Sequence, residues 1–185
     1  MRNIVALLLV GSSWFVSAQD VELSKGQLNL NLLPLTLSYE AKVPDKNSFT
    51  LSGGLGLIGY FESDGTTKES YFFALPVFTS SFRNYYTRKK IKKDDLRSNS
   101  GNYFGLFGSF QLEPLGDPSS LAETVAYQET TNVFTIGPVW GIERNYASGV
   151  HLGLSLGLGA VGGEYLETTV NFIGGFEFGM ILFSK

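Results

Sequence analysis

The 185-residue sequence contains no cysteine and a single histidine, His151. Without cysteine, neither a disulfide framework nor a thiolate metal site is possible, and one histidine is too few for an ordinary cluster of metal ligands. The formal net charge of -3 gives no overall sign of a nucleic-acid-binding surface. The sequence therefore predicts no metal, no cofactor and no nucleic-acid partner.

The first 18 residues have the layout of a secretory signal peptide. Arg2 supplies a positive start, residues 4–10 form a short apolar run, and residues 16–18 (VSA) match a small-residue cleavage pattern. The apolar run is too short for a membrane-spanning helix. No linker or change of composition divides the rest of the chain. We therefore predict a signal peptide over residues 1–18 and a single domain over residues 19–185.

Apolar and small or polar residues alternate with a period of two along the remaining chain, and no segment shows convincing helical periodicity. In residues 150–162, the even positions carry mostly leucine and the odd positions mostly glycine and serine. Because side chains alternate across a strand, one face would be a wall of leucine and the other nearly bare. Eight such strands are predicted, over residues 27–33, 35–43, 49–61, 70–86, 102–113, 132–144, 150–162 and 168–182.

Two segments match the pattern G-x-G-x-x-G, GLGLIG at residues 54–59 and GLGAVG at residues 157–162. In dinucleotide-binding proteins this pattern follows a strand and opens a helix. Both matches here lie inside predicted strands and are followed by polar loops. The first two glycines of each match, Gly54 and Gly56 or Gly157 and Gly159, fall on the nearly bare strand face, so the alternating glycines indicate positions with no room for a side chain.

The two strand faces distinguish a soluble barrel from a membrane barrel. A soluble barrel would expose the glycine and serine face to water, where glycine weakens a strand. A membrane barrel turns leucine and phenylalanine toward lipid and fills its interior with small and polar side chains. Aromatic residues near predicted strand ends, such as Tyr60, Tyr85 and Tyr165, suit the girdles of a membrane barrel. We therefore predict an all-β fold, an eight-stranded antiparallel up-and-down transmembrane β-barrel.

Several segments carry a resemblance to a known group: GQLNLNLLPLTLSYEAKV (26–43), NYYTRKKIKKDD (84–95) followed by NSGNYFGLFGSF (99–110), and FEFGMILF (176–183). They resemble small outer-membrane β-barrel proteins with no assigned activity. The resemblance implies the outer membrane of a Gram-negative cell as location and outer-membrane lipids as partners. It also implies recognition by the barrel-assembly machinery through the C-terminal strand. Many such barrels end on an aromatic residue that serves as the assembly signal, whereas Ser184 and Lys185 follow Phe183 here.

Four polar residues are predicted to lie in the barrel interior: His151, Ser155, Glu177 and Arg144. The first three could form a Ser-His-carboxylate hydrolase that acts on outer-membrane lipid. However, His151 and Ser155 would lie roughly 13 Å apart along one strand, at about 3.3 Å per residue. We expect these polar side chains to fill the barrel interior rather than to take part in catalysis. We also expect an interior ion pair between Glu177 and either Arg144 or Arg83.

The basic run of residues 88–93 is followed by Asp94 and Asp95 and has no interleaved aromatic residues. It indicates a solvated turn, or contact with anionic lipid headgroups or the cell-wall layer, rather than a nucleic-acid surface. The sequence as a whole predicts a non-enzymatic outer-membrane barrel without an open pore, with a structural or loop-mediated interaction role in the cell envelope. Two alternatives remain, an outer-membrane lipid-modifying hydrolase and a soluble secreted lipocalin-like binder of small ligands.

Overall fold

The structure is a computed structural model that describes residues 23–63, 68–87, 96–113, 115, 132–163 and 167–185. The predicted signal peptide over residues 1–18 and the basic run over residues 88–93 lie outside the described residues. Within the described part, no helix has the length and apolar character needed to cross a membrane.

In the part of the chain that the structure describes, eight β-strands form one closed antiparallel barrel, in which each strand pairs with its sequence neighbours and the first pairs with the last. All eight predicted strands are present, with bounds that differ from the predicted ones by a few residues, and the predicted all-β antiparallel fold is confirmed. The strands are β1 (Gly26–Leu33), β2 (Leu35–Val43), β3 (Asn47–Ser63), β4 (Lys68–Thr87), β5 (Gly101–Gln111), β6 (Val133–Asn145), β7 (Val150–Gly163) and β8 (Thr169–Ser184).

The tight turns form where the sequence supplies turn residues. Asp45, between β2 and β3, has a φ of 67°, and Gly149, between β6 and β7, has a φ of 89°. Glycine and aspartate tolerate the positive φ that such turns require. Pro34 alone separates β1 from β2, and the Leu33–Pro34 peptide bond is cis.

The barrel has two ends that differ in the chain segments they carry. Because the strand number is even, the start of β1 and the end of β8 lie at the same end, together with the β2–β3, β4–β5 and β6–β7 connections. We call this the terminal end. The opposite end, with the β1–β2, β3–β4, β5–β6 and β7–β8 connections, is called the loop end.

Alternation along the strands separates an apolar outer surface from a polar interior. In β7, Leu154, Leu156 and Leu158 point outward and Leu158 is 58% exposed, whereas His151 points inward and is 1% exposed. Soluble proteins bury mainly apolar residues and rarely bury charged ones unless they are paired. This barrel has the reverse distribution, because many of its buried inward side chains are polar or charged: Gln27, Asn29, Asn31, Thr36, Ser38, Glu40, Ser48, Thr50, Ser81, Arg83, Glu143, Asn145 and His151.

Both G-x-G-x-x-G segments lie within strands, the first in β3 and the second in β7. At Gly54 an added Cβ would collide with the carbonyl oxygen of Leu35 and the Cα of Thr36 on β2, and at Gly157 with the carbonyl oxygen of Pro138 on β6. These two glycines allow the backbone of a neighbouring strand to approach closely. The sequence indicated a different reason, a lack of room in the barrel interior, whereas Gly56 lines an interior cavity and an added Cβ there would make only ordinary contacts.

Candidate functional site: the polar plug and the interior cavity

The terminal end of the barrel is filled by a group of buried side chains that hydrogen-bond to one another or, in the case of Tyr103, pack against them through the ring. Most of them come from inward positions of five strands, and Asn99 comes from the segment before β5. All of them are at most 8% exposed. We call this group the polar plug, and its members are Glu40, Arg83, Tyr85, Asn99, Tyr103, Glu143, Asn145 and His151.

Arg83 and Glu143 form the central ion pair of the plug. Nη1 of Arg83 donates to Oε2 of Glu143 at 2.5 Å, and Nε of Arg83 donates to Oγ of Ser81 at 3.0 Å. The guanidinium carbon lies 4.8 Å from the ring centre of Tyr103. Moving a charged side chain from water into a protein interior costs several kcal/mol per ion, and about 20 kcal/mol in the idealised limit. The attraction within the pair and its further hydrogen bonds must offset that cost. The hydroxyl of Ser81 and the face of Tyr103 supply such additional contacts.

Tyr85 links the ion pair to a second carboxylate, that of Glu40. The Tyr85 hydroxyl lies 2.8 Å from Oε1 of Glu40 and 2.8 Å from Oε2 of Glu143. Ser48 also donates to Oε1 of Glu40, and Nδ2 of Asn99 donates to Oε2 at 2.6 Å. Because a hydroxyl has one proton, Tyr85 donates to one carboxylate at a time. Among the described contacts, Glu40 has only neutral donors, Ser48, Asn99 and the shared Tyr85, whereas Glu143 also has a cation, Arg83.

His151 connects the plug to Glu177 on β8. Its Nδ1 lies 2.7 Å from Oδ1 of Asn145, and its Nε2 lies 3.3 Å from Oε2 of Glu177. Nδ2 of Asn145 donates to the backbone carbonyls of Ser98 and Asn99, which orients the amide oxygen toward the imidazole. Both ring nitrogens of His151 therefore face oxygen acceptors.

The structure brings two of the four predicted interior residues together, His151 and Glu177. Ser155 lies on the same inward face of β7 and lines the cavity described below. The hydrogen bonds of the imidazole go to Asn145 and Glu177, so the described contacts include no Ser155–His151 hydrogen bond. The arrangement lacks the base-to-nucleophile contact that defines a Ser-His-carboxylate triad.

The prediction that Arg144 lies in the interior is wrong. In β6 the odd-numbered residues face inward, so Arg144 shares the outward face of Ile136. Its guanidinium donates to the carbonyl of Gly101 and to Oδ1 of Asn102 at the rim.

The expected ion pair between Glu177 and an arginine is also wrong for both proposed partners. Arg144 faces outward, and Arg83 binds Glu143 instead. Glu177 contacts His151 instead, because β7 and β8 are neighbours and Gly153, two residues beyond His151, lies directly opposite Glu177.

Tyr85 was expected in an aromatic girdle, but it is 0% exposed inside the plug, so that expectation is wrong. Several other plug residues were not singled out from the sequence, although the alternation carried a signal for two of them. Glu40 has the same parity as Thr36 and Ser38 in β2, and Glu143 has the same parity as Gly141 in β6. Assigning every charged residue to a strand face would have placed both carboxylates inside. Asn99 precedes β5 and lies outside any alternating pattern, so the sequence carried no comparable signal for it.

On the loop-end side of the plug, the interior opens into a cavity of about 460 Å³. Glu177 lies at its inner end, and 32% of that side chain is exposed. Beyond Glu177 the space narrows to about 10 Å³ between Arg83, Tyr103 and Glu143, about the least space that can hold one water molecule. Six hydroxyl side chains line the wider part: Thr36, Ser52, Thr79, Ser109, Thr135 and Ser155.

Among the side chains that the structure describes, no three acidic or histidine residues are grouped in a way that could hold a metal ion. Comparisons with protein-family models, curated proteins and solved structures found no match to this chain. Arguments about function therefore start from the plug, the cavity and the outer surface.

Proposed function

We propose that the protein is a small outer-membrane β-barrel without an open pore, with a structural or loop-mediated interaction role in the envelope of a Gram-negative cell. The observation that carries this proposal is the reversed polarity of the barrel. Outward side chains such as Phe172, Phe176 and Phe178 are exposed and apolar, whereas inward side chains are polar. A lipid bilayer is the solvent in which such a surface is stable.

The closed sheet and the strand lengths support this proposal. Backbone groups in lipid must find hydrogen-bond partners inside the protein, and a closed barrel provides them without a free sheet edge. Strands β5, β6 and β7 are 11, 13 and 14 residues long. A tilted membrane-spanning strand needs about 9–11 residues.

The absence of an open pore is proposed from the polar plug. Tyr85 and Asn145 are 0% exposed, and the plug joins β2, β4, β6 and β7 across the terminal end. Water and solutes entering from the loop end would meet these side chains. Export by the predicted signal peptide and assembly through β8, with outer-membrane lipids as partners, complete the proposal.

The two alternatives fit less well. A lipocalin-like binder would have an apolar interior and a polar exterior, the opposite of what the barrel has. A hydrolase would need a base directed at Ser155, and the imidazole of His151 is bonded to Asn145 and Glu177.

Cell fractionation combined with one pair of arginine variants tests the membrane proposal. Leu156 and Val150 both point outward in β7, but Val150 is the first residue of the strand and Leu156 lies about 20 Å further along it. We expect wild-type protein in the outer-membrane fraction, with a gel mobility that changes on heating. Arginine on the lipid face costs about 2–4 kcal/mol at the bilayer midplane and about 0–1 near the interface, so Leu156→Arg should impair assembly and Val150→Arg should not.

Recovery of the wild-type protein from the soluble periplasm would contradict the proposal. Equal tolerance of both arginine variants would contradict it as well, because a water-exposed surface accepts arginine at either depth.

A further inference from the structure

We propose that the interior cavity binds a small hydroxylated primary amine, such as an amino alcohol or an amino sugar, with its ammonium group at Glu177. The cavity is a property of the barrel interior, so this inference goes beyond the proposed function and does not depend on membrane location. It rests on the size of the cavity, its ring of hydroxyl groups and the charge at its inner end.

The cavity wall carries one hydroxyl group from each of six consecutive strands, β2 to β7. Ser52 and Thr79 are already hydrogen-bonded to each other at 3.0 Å, and Thr36 accepts a hydrogen bond from Asn31 at 3.1 Å. Serine and threonine hydroxyls both donate and accept, so the ring can bond to a ligand that carries several hydroxyl groups. The volume of about 460 Å³ falls within the usual range for small-molecule sites, about 300–1,000 Å³.

The charges of the interior favour a cation at the inner end of the cavity. The described inward-facing residues include three carboxyl groups, on Glu40, Glu143 and Glu177, against two groups that can be cationic, on Arg83 and His151. Arg83 forms its ion pair with Glu143. Glu177 is held by His151 alone among these groups, at 3.3 Å, and it is the one of the three carboxyl groups that lines the cavity.

An ammonium group is the ligand chemistry that complements Glu177, because a hydrogen bond to a charged partner is stronger than one between neutral groups. Apolar side chains share the cavity wall with the hydroxyl groups, among them Val77, Phe107 and Val139. They would contact the carbon skeleton of the ligand, whereas a long acyl chain would leave the ring of hydroxyl groups without partners.

Binding can be measured on the full barrel in detergent micelles by ligand-observed NMR and calorimetry, with glucosamine, ethanolamine and glucose as probes. We expect saturable binding of glucosamine, with an affinity about tenfold higher than that of glucose. A tenfold difference corresponds to roughly one charge-assisted hydrogen bond. Glu177→Gln should remove this difference between the two sugars while leaving the ring of hydroxyl groups intact.

A matched pair of substitutions locates the binding. Ser109→Leu fills the cavity and should abolish binding of all probes. Ser80→Leu makes the same change on the outward face of the neighbouring strand β4 and should leave binding unchanged. Heat-modifiable gel mobility reports whether each variant is folded. If Glu177→Gln did not fold, the ratio of the glucosamine and glucose affinities of the wild-type protein and the Ser109→Leu result would still test the proposed site.

Three outcomes would overturn the inference. The first is no saturable binding of any probe, which would mean that the cavity holds water only. The second is equal affinity for glucosamine and glucose, which would exclude Glu177 as an ammonium site. The third is binding that survives Ser109→Leu in a folded variant, which would place the ligand elsewhere.

Discussion

Arg83 and Glu143 lie 60 positions apart in sequence, yet Nη1 of Arg83 donates to Oε2 of Glu143 at 2.5 Å. The two residues are on β4 and β6, which are not neighbours in the barrel, so the ion pair crosses the interior over Tyr103 of the intervening β5. It therefore joins strands that backbone hydrogen bonds do not join directly. Its loss should affect the barrel more than the loss of an arginine at the rim.

Replacing Arg83 with methionine should strongly destabilise the barrel. The change leaves Glu143 as a buried carboxylate without its cation, which typically costs about 3–5 kcal/mol. Urea unfolding in lipid vesicles, followed by the heat-modifiable gel band, measures this cost.

Arg144→Met is the matched control, since Arg144 bonds to Gly101 and Asn102 on the outer rim. Its loss should cost less than that of Arg83, about 1.5–3 kcal/mol for charged hydrogen bonds, because it leaves no buried carboxylate without a cation. Adding Glu143→Leu to Arg83→Met should recover part of the stability, because the carboxylate that lost its cation is then removed as well. Equal effects of the two arginine variants would refute a special role for the buried pair.

Tyr85→Phe should destabilise the barrel by about 1–3 kcal/mol, because the two carboxylates of Glu40 and Glu143 lose their shared buried donor. Tyr86→Phe provides a control one residue away. The Tyr86 hydroxyl accepts one hydrogen bond from Nε1 of Trp140 on the outer surface, and its loss should cost less. A Tyr85→Phe variant that lost no more stability than Tyr86→Phe would contradict a central role for the Tyr85 hydroxyl.

The period of two residues in the sequence was enough to predict the number of strands and which residues share a face. Leu154 and Leu156 alternate with Gly153 and Ser155, and a strand converts that alternation directly into two faces. The same rule indicated that His151 and Glu177 both point inward, and the pairing of β7 with β8 then brings them into contact.

The partners of the charged residues could not be predicted from the same pattern. Arg144 was assigned to the interior, although it immediately follows the inward residue Glu143 and therefore faces outward. The partner of Arg83 depends on strand register and on which side chains meet across the interior, and alternation within one strand contains neither. Asn99, which precedes β5 in the chain, donates a hydrogen bond to Glu40. Its φ of 61° is not predicted by any alternation of side chains.

The first two of the three glycines in the first G-x-G-x-x-G segment, Gly54 and Gly56, should respond differently to alanine. A Cβ at Gly54 would meet the backbone of Leu35 and Thr36, which cannot move aside, whereas one at Gly56 would make ordinary contacts with the side chains of Leu75 and Val77. Gly54→Ala should therefore cost about 1–3 kcal/mol, as overpacking does, and Gly56→Ala should be nearly neutral. Urea unfolding of the two variants compares these costs. If both changes were neutral, close strand approach would not explain the motif.

Substitutions of His151 and Ser155 should show whether these residues have a structural or a catalytic role. His151→Ala should destabilise the barrel, because Asn145 and Glu177 lose the ring nitrogens that hold them. Ser155→Ala should be close to neutral, since the Ser155 hydroxyl makes no hydrogen bond to His151 among the described contacts. Phospholipid and lipid A profiles of expressing cells should match those of cells with an empty vector. A changed lipid profile that both substitutions abolished in folded protein would instead establish the hydrolase, because a structural pair has no reason to alter lipids.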